Sequence, residues 1–548
     1  MTLEVCVSAE VEIAIIGAGP GGISAGHHLL ERGITDFVIL ERADDFGGTW
    51  RDNHYPGLAV DLPGVFYQLS FARNPDWSRV FPTGPEIGAY LRRTARDLGL
   101  YAHLKPGCTV LRQLWQQGDG RWRLEIAGGS TVSARFVINA VGGYIDTDRF
   151  TALPGVEDFA GTVLRPNDWD DGYDVSGKRV AVVGTGSSGV QIGSALAARA
   201  AHLDVYQRTP AWILPKIDFD VPEALKRVQR VPGVLALLNL IGRMLMDAFV
   251  VIPLVHVLSR LPERVLTTIL PIYDIGWRAF YRALLRVVVD DPAYRRALVP
   301  RYGMYAKRPV ISSTFLPALN RDTVNLITTP IQRVTKTGVL TQDSIHHPAD
   351  LLVLATGYEL YTDPETHRPG TVVGRDGFDL AEQFRRHGLR SYAGTCYPRV
   401  PNRWDLVGPR GYVGLAWTDW VETTAAHAVR MIELTRRSGP DTAVEVTQSA
   451  FDAWNARMDR RARTYHIYVT KCSPPFRTYF VNSHGETLYY RPQTIFGSRW
   501  FARHSPVSDY QFQTVGGSTE FAALGRETQA LQTISTIPVR KKKESPIR

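Results

Sequence analysis

The sequence predicts an α/β fold, with two Rossmann-like dinucleotide-binding domains and a helical insertion, and three observations carry that prediction. A turn with the spacing GxGxxG leaves an apolar run twice. Gly17-Ala18-Gly19-Pro20-Gly21-Gly22 follows Ile13-Ala14-Ile15-Ile16, and Gly184-Thr185-Gly186-Ser187-Ser188-Gly189 follows Val180-Ala181-Val182-Val183. Nineteen residues past the third glycine, a second apolar strand ends in Glu41 in the first copy and in Arg208 in the second. Further on, Phe136-Val137-Ile138-Asn139-Ala140-Val141 runs into Gly142-Gly143, and Leu351-Leu352-Val353-Leu354-Ala355-Thr356 runs into Gly357.

Each glycine of the turn has a separate task. The first permits the tight turn, the second lets the backbone approach a pyrophosphate, and the third allows close packing of helix on strand. The phosphates then sit on a helix N-terminus. This reading assigns Gly17, Gly19, Pro20 and Gly22 to one cofactor, and Gly184, Thr185, Gly186, Ser187, Ser188 and Gly189 to another. The charged residues then discriminate between them. A carboxylate at Glu41 accepts from a free ribose 2′-hydroxyl, whereas the guanidinium of Arg208 suits a 2′-phosphate. The first unit therefore reads as a site for FAD or NAD and the second as a site for NADP. One such turn is a weak signal; two, with opposite charges at the same offset, form a specific one.

At 548 residues the chain exceeds what one hydrophobic core supports. The motifs divide it into a FAD-binding domain, first part, over 1–145; an NADP-binding domain, first part, over 146–212; a helical insertion over 213–300; a second NADP-binding part over 301–345; a second FAD-binding part over 346–535; and a basic tail over 536–548. With 44% apolar and 21% charged residues the composition is that of an ordinary globular protein. The net charge of +9 is uneven, because Arg540–Arg548 holds five basic residues and one acid. That run reads as a solvated tail, and nothing else points to nucleic acid.

Four cysteines, at 6, 108, 396 and 472, form no CxxC pair and no cluster with histidine. They point to a reducing, cytoplasmic setting and to no metal site. Glu4, Glu10 and Glu12 precede the first strand where a signal peptide would be apolar. From Val231 to Leu258 the chain is strongly apolar, but Arg243, Asp247 and His256 interrupt it and Pro253 would kink a helix. Amphipathic helices covering a cavity are the first reading, and weak contact with a membrane surface the second. The oligomeric state is not legible.

Two dinucleotides without a CxxC pair disfavour electron transfer to a dithiol and leave oxygen insertion. Further motifs agree: Gly47-Gly48-Thr49-Trp50 followed by Tyr55-Pro56-Gly57 and Asp61; Phe159-Ala160-Gly161 with Trp169-Asp170; Gln207-Arg208-Thr209-Pro210; Lys307-Arg308; and Leu354-Ala355-Thr356-Gly357-Tyr358. On these residues the chain resembles the Baeyer-Villiger monooxygenases, class B flavoprotein monooxygenases, over nearly its whole length.

The resemblance implies FAD and NADPH as cofactors, O2 and a small lipophilic ketone as substrates, and an ester or lactone formed through a flavin peroxide. It implies that Arg308, held by Asp61, is the cation above the flavin. It adds Gly48, Thr49, Trp50, Asp61 and Tyr67 to the flavin site, and Gln191, Thr209 and Lys307, beside Arg208, to the NADP site. One departure is clear. The family fingerprint FxGxxxHxxxW has Arg165 in place of its histidine. Arginine stays charged where histidine titrates, so a flavoprotein with impaired oxygenation is one alternative, and oxygenation of nitrogen or sulfur is another. The aromatics Trp417, Trp420, Phe476 and Tyr479 point to a hydrophobic substrate.

Overall fold

The computed structural model describes residues 9–146, 153–474, 476 and 478–515. The first sheet is built around β1 (Ala9–Ile16), which pairs in parallel with β2 (Phe37–Leu40) on one side and β6 (Thr131–Asn139) on the other. Ile13, Ala14 and Ile15 are fully buried, which is why this strand reads as an unbroken apolar run rather than an alternating one. Beyond β2 lies β3 (Leu104–Lys105); on the far side, β4 (Val110–Gln116) and β5 (Arg121–Ile126) reach β6 as an antiparallel meander. Residues Val372–Val373 and Arg403–Asp405, from the later part of the chain, add to the same sheet beside β4 and β6. The long helix Trp417–Arg437 packs on α1 (Pro20–Glu31). Two more helices precede β3: α2 (Thr49–Asp52) and α3 (Gly84–Asp97).

After β7 (Tyr144–Asp146) the chain enters a second sheet. Its parallel order is β13-β10-β9-β17-β8, formed by Val324–Ile327, His202–Tyr206, Arg179–Val183, Leu351–Leu354 and Thr162–Leu164. Helix α4 (Ser187–Leu196) follows the second glycine turn. An antiparallel group of β14–β16 (Ile331–Thr335, Gly338–Thr341, His346–Pro348) precedes β17. The second sheet thus extends to Leu354, past residue 345, where the sequence reading ended that unit. The reason is that β17 lies inside this sheet, pairing with β9 on one side and with the edge strand β8 on the other. The return to the first unit comes immediately afterwards, where Glu359–Leu360 pairs antiparallel with β7, so the two crossovers lie side by side.

Between the strands of this second unit, β11 (Ile213–Leu214) leads out into helices α5 (Glu223–Arg230), α6 (Val234–Met246), a π-helical continuation over Asp247–Val257, and α7 (Glu263–Val288). The chain returns through β12 (Val310–Ile311), which pairs in parallel with β11. Arg308 therefore emerges just before a strand anchored on the second unit.

The fingerprint residues of the linker serve packing. Trp169 is buried in the core of the second unit, and Phe159 packs on its other face. A Cβ added to Gly161 would lie 2.5 Å from the Asp350 carbonyl oxygen, so the close approach of the linker to β17 requires glycine. Among the described cysteines, Cys396 and Cys472 are free. The basic tail and Cys6 lie outside the described residues.

Candidate active site

A cavity of about 1640 Å³ is lined by both units. Pockets for one drug-sized ligand run to roughly 300–1,000 Å³, so this one has room for more than a single small molecule. Gly17, Gly19, Pro20, Glu41, Gly48, Thr49, Trp50, Asp61 and Tyr67 line it from the first unit. Gly184, Thr185, Gly186, Ser187, Ser188, Gln191, Arg208, Thr209, Lys307 and Arg308 line it from the second unit and the returning chain. Gly22 and Gly189 do not line it. They act from behind: a Cβ on either would lie 2.0 Å from the carbonyl oxygen of Gly17 or Gly184, respectively. Helix and strand could not then pack. We expect Gly189→Ala to abolish NADPH binding while the flavin absorbance of the purified protein persists, as titration of NADPH against that absorbance would show.

Both helix ends fit a pyrophosphate. α1 begins at Pro20 after Gly19, and α4 at Ser187 after Gly186, and neither start has a side chain capping its first-turn N–H groups. Those donors are left for an anion, which the helix dipole also favours. Glu41 is 4% exposed, accepts from the N–H of Ala18 at 2.7 Å and of Ala43 at 3.0 Å, and pairs with Arg51 at 3.1 Å. It braces the glycine turn and lines the cavity.

At the other cradle, burial first and the neighbouring Arg208 second push the Lys307 ammonium below the usual lysine range. Among the described residues neither cation has an ion-pair partner. Two such cations side by side repel until a dianion sits between them, and a 2′-phosphate matches that need. The residues present therefore fit FAD in the first unit and NADP in the second.

The two cradles are held in register by a short contact. The Tyr55 hydroxyl donates to Gln191 Oε1 at 2.9 Å, and Gln191 Nε2 donates to the Ala59 carbonyl at 2.9 Å. Gly57, at φ +83°, is the residue this approach demands: a Cβ there would lie 2.7 Å from the Gln191 carbonyl oxygen. Trp50 donates from Nε1 to the Tyr67 hydroxyl at 3.1 Å.

Arg308 Nη2 donates to Asp61 Oδ1 at 2.6 Å, bringing together residues 247 positions apart. Burial opposes the charge on Arg308, but the carboxylate of Asp61 outweighs it and holds the guanidinium well above its ordinary range; Tyr479, Tyr144 and Tyr489 surround it. Burial pushes those three tyrosines up in turn, so they remain neutral and present phenol O–H groups. Tyr144 and Tyr489 had no signal in the sequence, since neither belongs to a spaced motif.

A second group invisible in the sequence is Asp274, fully buried on α7. Its Oδ1 accepts from the Met304 N–H at 3.0 Å and from the Tyr468 hydroxyl at 2.7 Å, and that hydroxyl accepts from the Tyr305 N–H at 3.2 Å. This network fixes the segment leading to Arg308. Asp274→Ala would strand those donors, at a cost of about 1–3 kcal/mol in stability. Denaturant unfolding is expected to show that loss.

Two nucleotide cradles opening on one cavity, with a paired arginine where they meet, define a two-dinucleotide flavoprotein oxidoreductase. Residues 14–231 match the family described as pyridine nucleotide-disulphide oxidoreductase. The chain is 31% identical over 541 residues to a Baeyer-Villiger monooxygenase of Streptomyces coelicolor, covering 96% of this chain and 99% of that protein. It is 32% identical over 528 residues to a Baeyer-Villiger monooxygenase of Pseudomonas aeruginosa, covering 94% of each. Among solved structures it is similar to the open form of cyclohexanone monooxygenase, at 26% identity and a TM-score of 0.76, covering 92% of this chain and 100% of the other. It also resembles an oxidized steroid monooxygenase bound to NADP, at 25% identity and a TM-score of 0.78, with the same coverage. The chain belongs to the Baeyer-Villiger monooxygenases, flavin enzymes that use FAD and NADPH.

Proposed function

We propose that this protein inserts one oxygen atom from O2 beside the carbonyl of a small lipophilic ketone. Ketone, O2, NADPH and a proton give ester or lactone, NADP and water. The observation that carries this reading is the Arg308–Asp61 pair on the wall shared by the two cradles. FAD bound in the first cradle and reduced by NADPH would supply the activation of oxygen. The protein's part is electrostatic. Arg308 stays charged, is held in one orientation by Asp61, and offers its remaining N–H groups to negative oxygen that develops during attack on the carbonyl. Such a fixed donor is worth more here than in water because the neutral aromatic wall lowers the local dielectric.

Trp417, Val421, Phe476, Tyr479 and Val481 line the same cavity, a surface suited to an apolar ketone. Arg208, Thr209 and Lys307 would hold NADP in place, keeping water from the reacting centre. Cyclohexanone monooxygenase, the structural relative, has been solved with cyclohexanone and with epsilon-caprolactone, a ketone and a lactone. The test is incubation with NADPH, a panel of cyclic and aryl ketones and labelled oxygen gas. One labelled oxygen in an ester, with NADPH consumed in equal amount, is the expected result; hydrogen peroxide alone with every ketone would overturn the reading.

Arg165 does not line the cavity, although Pro166 and Asn167 do. It sits in a tight turn whose Asp168 N–H donates to the Arg165 carbonyl at 3.1 Å. Arg165→His, at a half-buried position off the cavity wall, is therefore expected to change ester turnover by no more than about threefold, less than about 1 kcal/mol. A much larger gain in turnover would mean that the arginine impairs oxygenation.

A further inference from the structure

The helical insertion is apolar on the wrong side for a helix in water. The stretch Val234–Arg260, formed by α6 and its π-helical continuation, is 27 residues long and apolar enough to cross a bilayer, yet only 22% of its most apolar window is buried. Its buried positions, Leu235, Asn239, Asp247, Val251 and Val255, fall at four- or eight-residue intervals, with the half-buried Arg243 in the gap. Polar groups on this inner side are tied to the body of the protein. Asn239 Nδ2 donates to the Val65 carbonyl at 2.8 Å, Arg243 Nε to Asp419 at 3.1 Å, and Asp247 Oδ1 accepts from the Ile495 N–H at 2.8 Å. A helix so anchored does not cross a bilayer.

Its outer side carries Leu237, Ile241, Leu245 and Phe249, the last 75% exposed, and α7 adds Ile272 and Ile275, each over 60% exposed. A helix in water buries its apolar stripe and turns its polar residues out. Here that order is reversed along α6 and its continuation, whereas α7 buries an apolar stripe of Leu266, Leu270, Tyr281 and Leu285 and still exposes Ile272 and Ile275; exposed apolar surface of this kind marks an interaction site.

Charge identifies the partner. Residues 223–288 contain nine basic side chains and four acidic ones, a net +5. Of the acids, Asp247 and Asp274 are buried, Glu223 pairs with Arg230, and Glu263 pairs with Lys471. Arg227, Arg260, Arg264, Arg282 and Arg286 are exposed, with no ion-pair partner among the described residues. A second copy docking through the same surface would set this excess of positive charge against itself. An anionic bilayer neutralises it while taking up the apolar side chains.

We propose that α6, its π-helical continuation and α7 form a docking surface that lies in the headgroup boundary of an anionic membrane, as a monotopic protein does. The surface adjoins the active site without belonging to it. Tyr273 stacks on Tyr305 with ring centroids 6.1 Å apart, three residues before Arg308, and Gly242 packs against Phe66, next to Tyr67. The proposal does not rest on the reaction proposed above, because any activity at that site would leave the surface unchanged.

The test is flotation of the FAD-loaded protein on a density gradient with vesicles of phosphatidylcholine alone or mixed with phosphatidylglycerol. Cofloating with the mixed vesicles, and less with phosphatidylcholine, is expected. The variant Ile241→Gln/Leu245→Gln/Phe249→Gln should lose about tenfold or more of that binding while keeping its flavin absorbance and ester formation. Arg264→Glu/Arg282→Glu, which leaves the apolar residues in place, should lose the preference for the anionic lipid. Three results would overturn the proposal. The protein stays with the soluble fraction in both gradients; or Lys541→Gln/Lys542→Gln/Lys543→Gln abolishes binding while the apolar variant retains it; or sedimentation velocity shows a dimer that the apolar variant dissociates.

Discussion

Arg308→Ala is expected to lower ester formation by about 100- to 1,000-fold, the loss that follows removal of one fixed donor to a developing oxyanion. FAD should remain bound, because Arg308 belongs to the chain returning from the insertion and not to the glycine cradle of the first unit. NADPH should still be consumed, and the missing ester should reappear as free hydrogen peroxide. That redistribution separates a lost electrostatic role from a collapsed site, which would stop NADPH oxidation too. Arg308→Lys keeps the charge but not the planar fork that meets Asp61, so partial recovery is expected. Asp61→Asn removes the partner that outweighs burial and holds the guanidinium ionised and oriented. Its ester yield per NADPH should fall as well, by less than that of Arg308→Ala, because the cation itself remains. If esters persist undiminished in Arg308→Ala, the assignment of this site is wrong.

The second large effect concerns the choice of nicotinamide cofactor. Arg208→Ala is expected to raise the KM for NADPH by about 10- to 150-fold, corresponding to about 1.5–3 kcal/mol for a charged hydrogen bond, with little change for NADH. Lys307→Ala should act in the same direction. The double variant should cost less than the sum of the two, because each cation raises the energy of the other while the phosphate is absent. Flavin content should stay constant throughout. An equal loss for NADPH and NADH would place both residues away from the 2′-phosphate.

The legible part of the site was the part written in short-range spacing. Gly17 to Gly22 and Gly184 to Gly189 are read from consecutive residues, and their partners Glu41 and Arg208 follow at a fixed offset, because strand, turn and helix are local structures with their own lengths. Lys307 and Arg308 came from resemblance rather than from any rule of spacing. Tyr144, Tyr489 and Asp274 were not legible, since each acts through contacts with residues far along the chain. Trp169, prominent as a fingerprint residue, proved to be a core residue of the second unit. The end of that unit was misread because β17 is an apolar run ending in glycine, as β6 is, and such a run does not say which sheet it joins.

By itself the sequence determined that there are two glycine turns, that opposite charges follow them at one offset, and that a long apolar segment divides the second unit. Those properties follow from glycine geometry, charge and local hydrophobicity. Only the tertiary structure decided that Asp61 meets Arg308 across 247 residues, that the two crossovers run side by side, and that the apolar segment turns its outer side to the solvent. Each depends on which surfaces are buried against which, and hydrophobic burial has no direction along the chain.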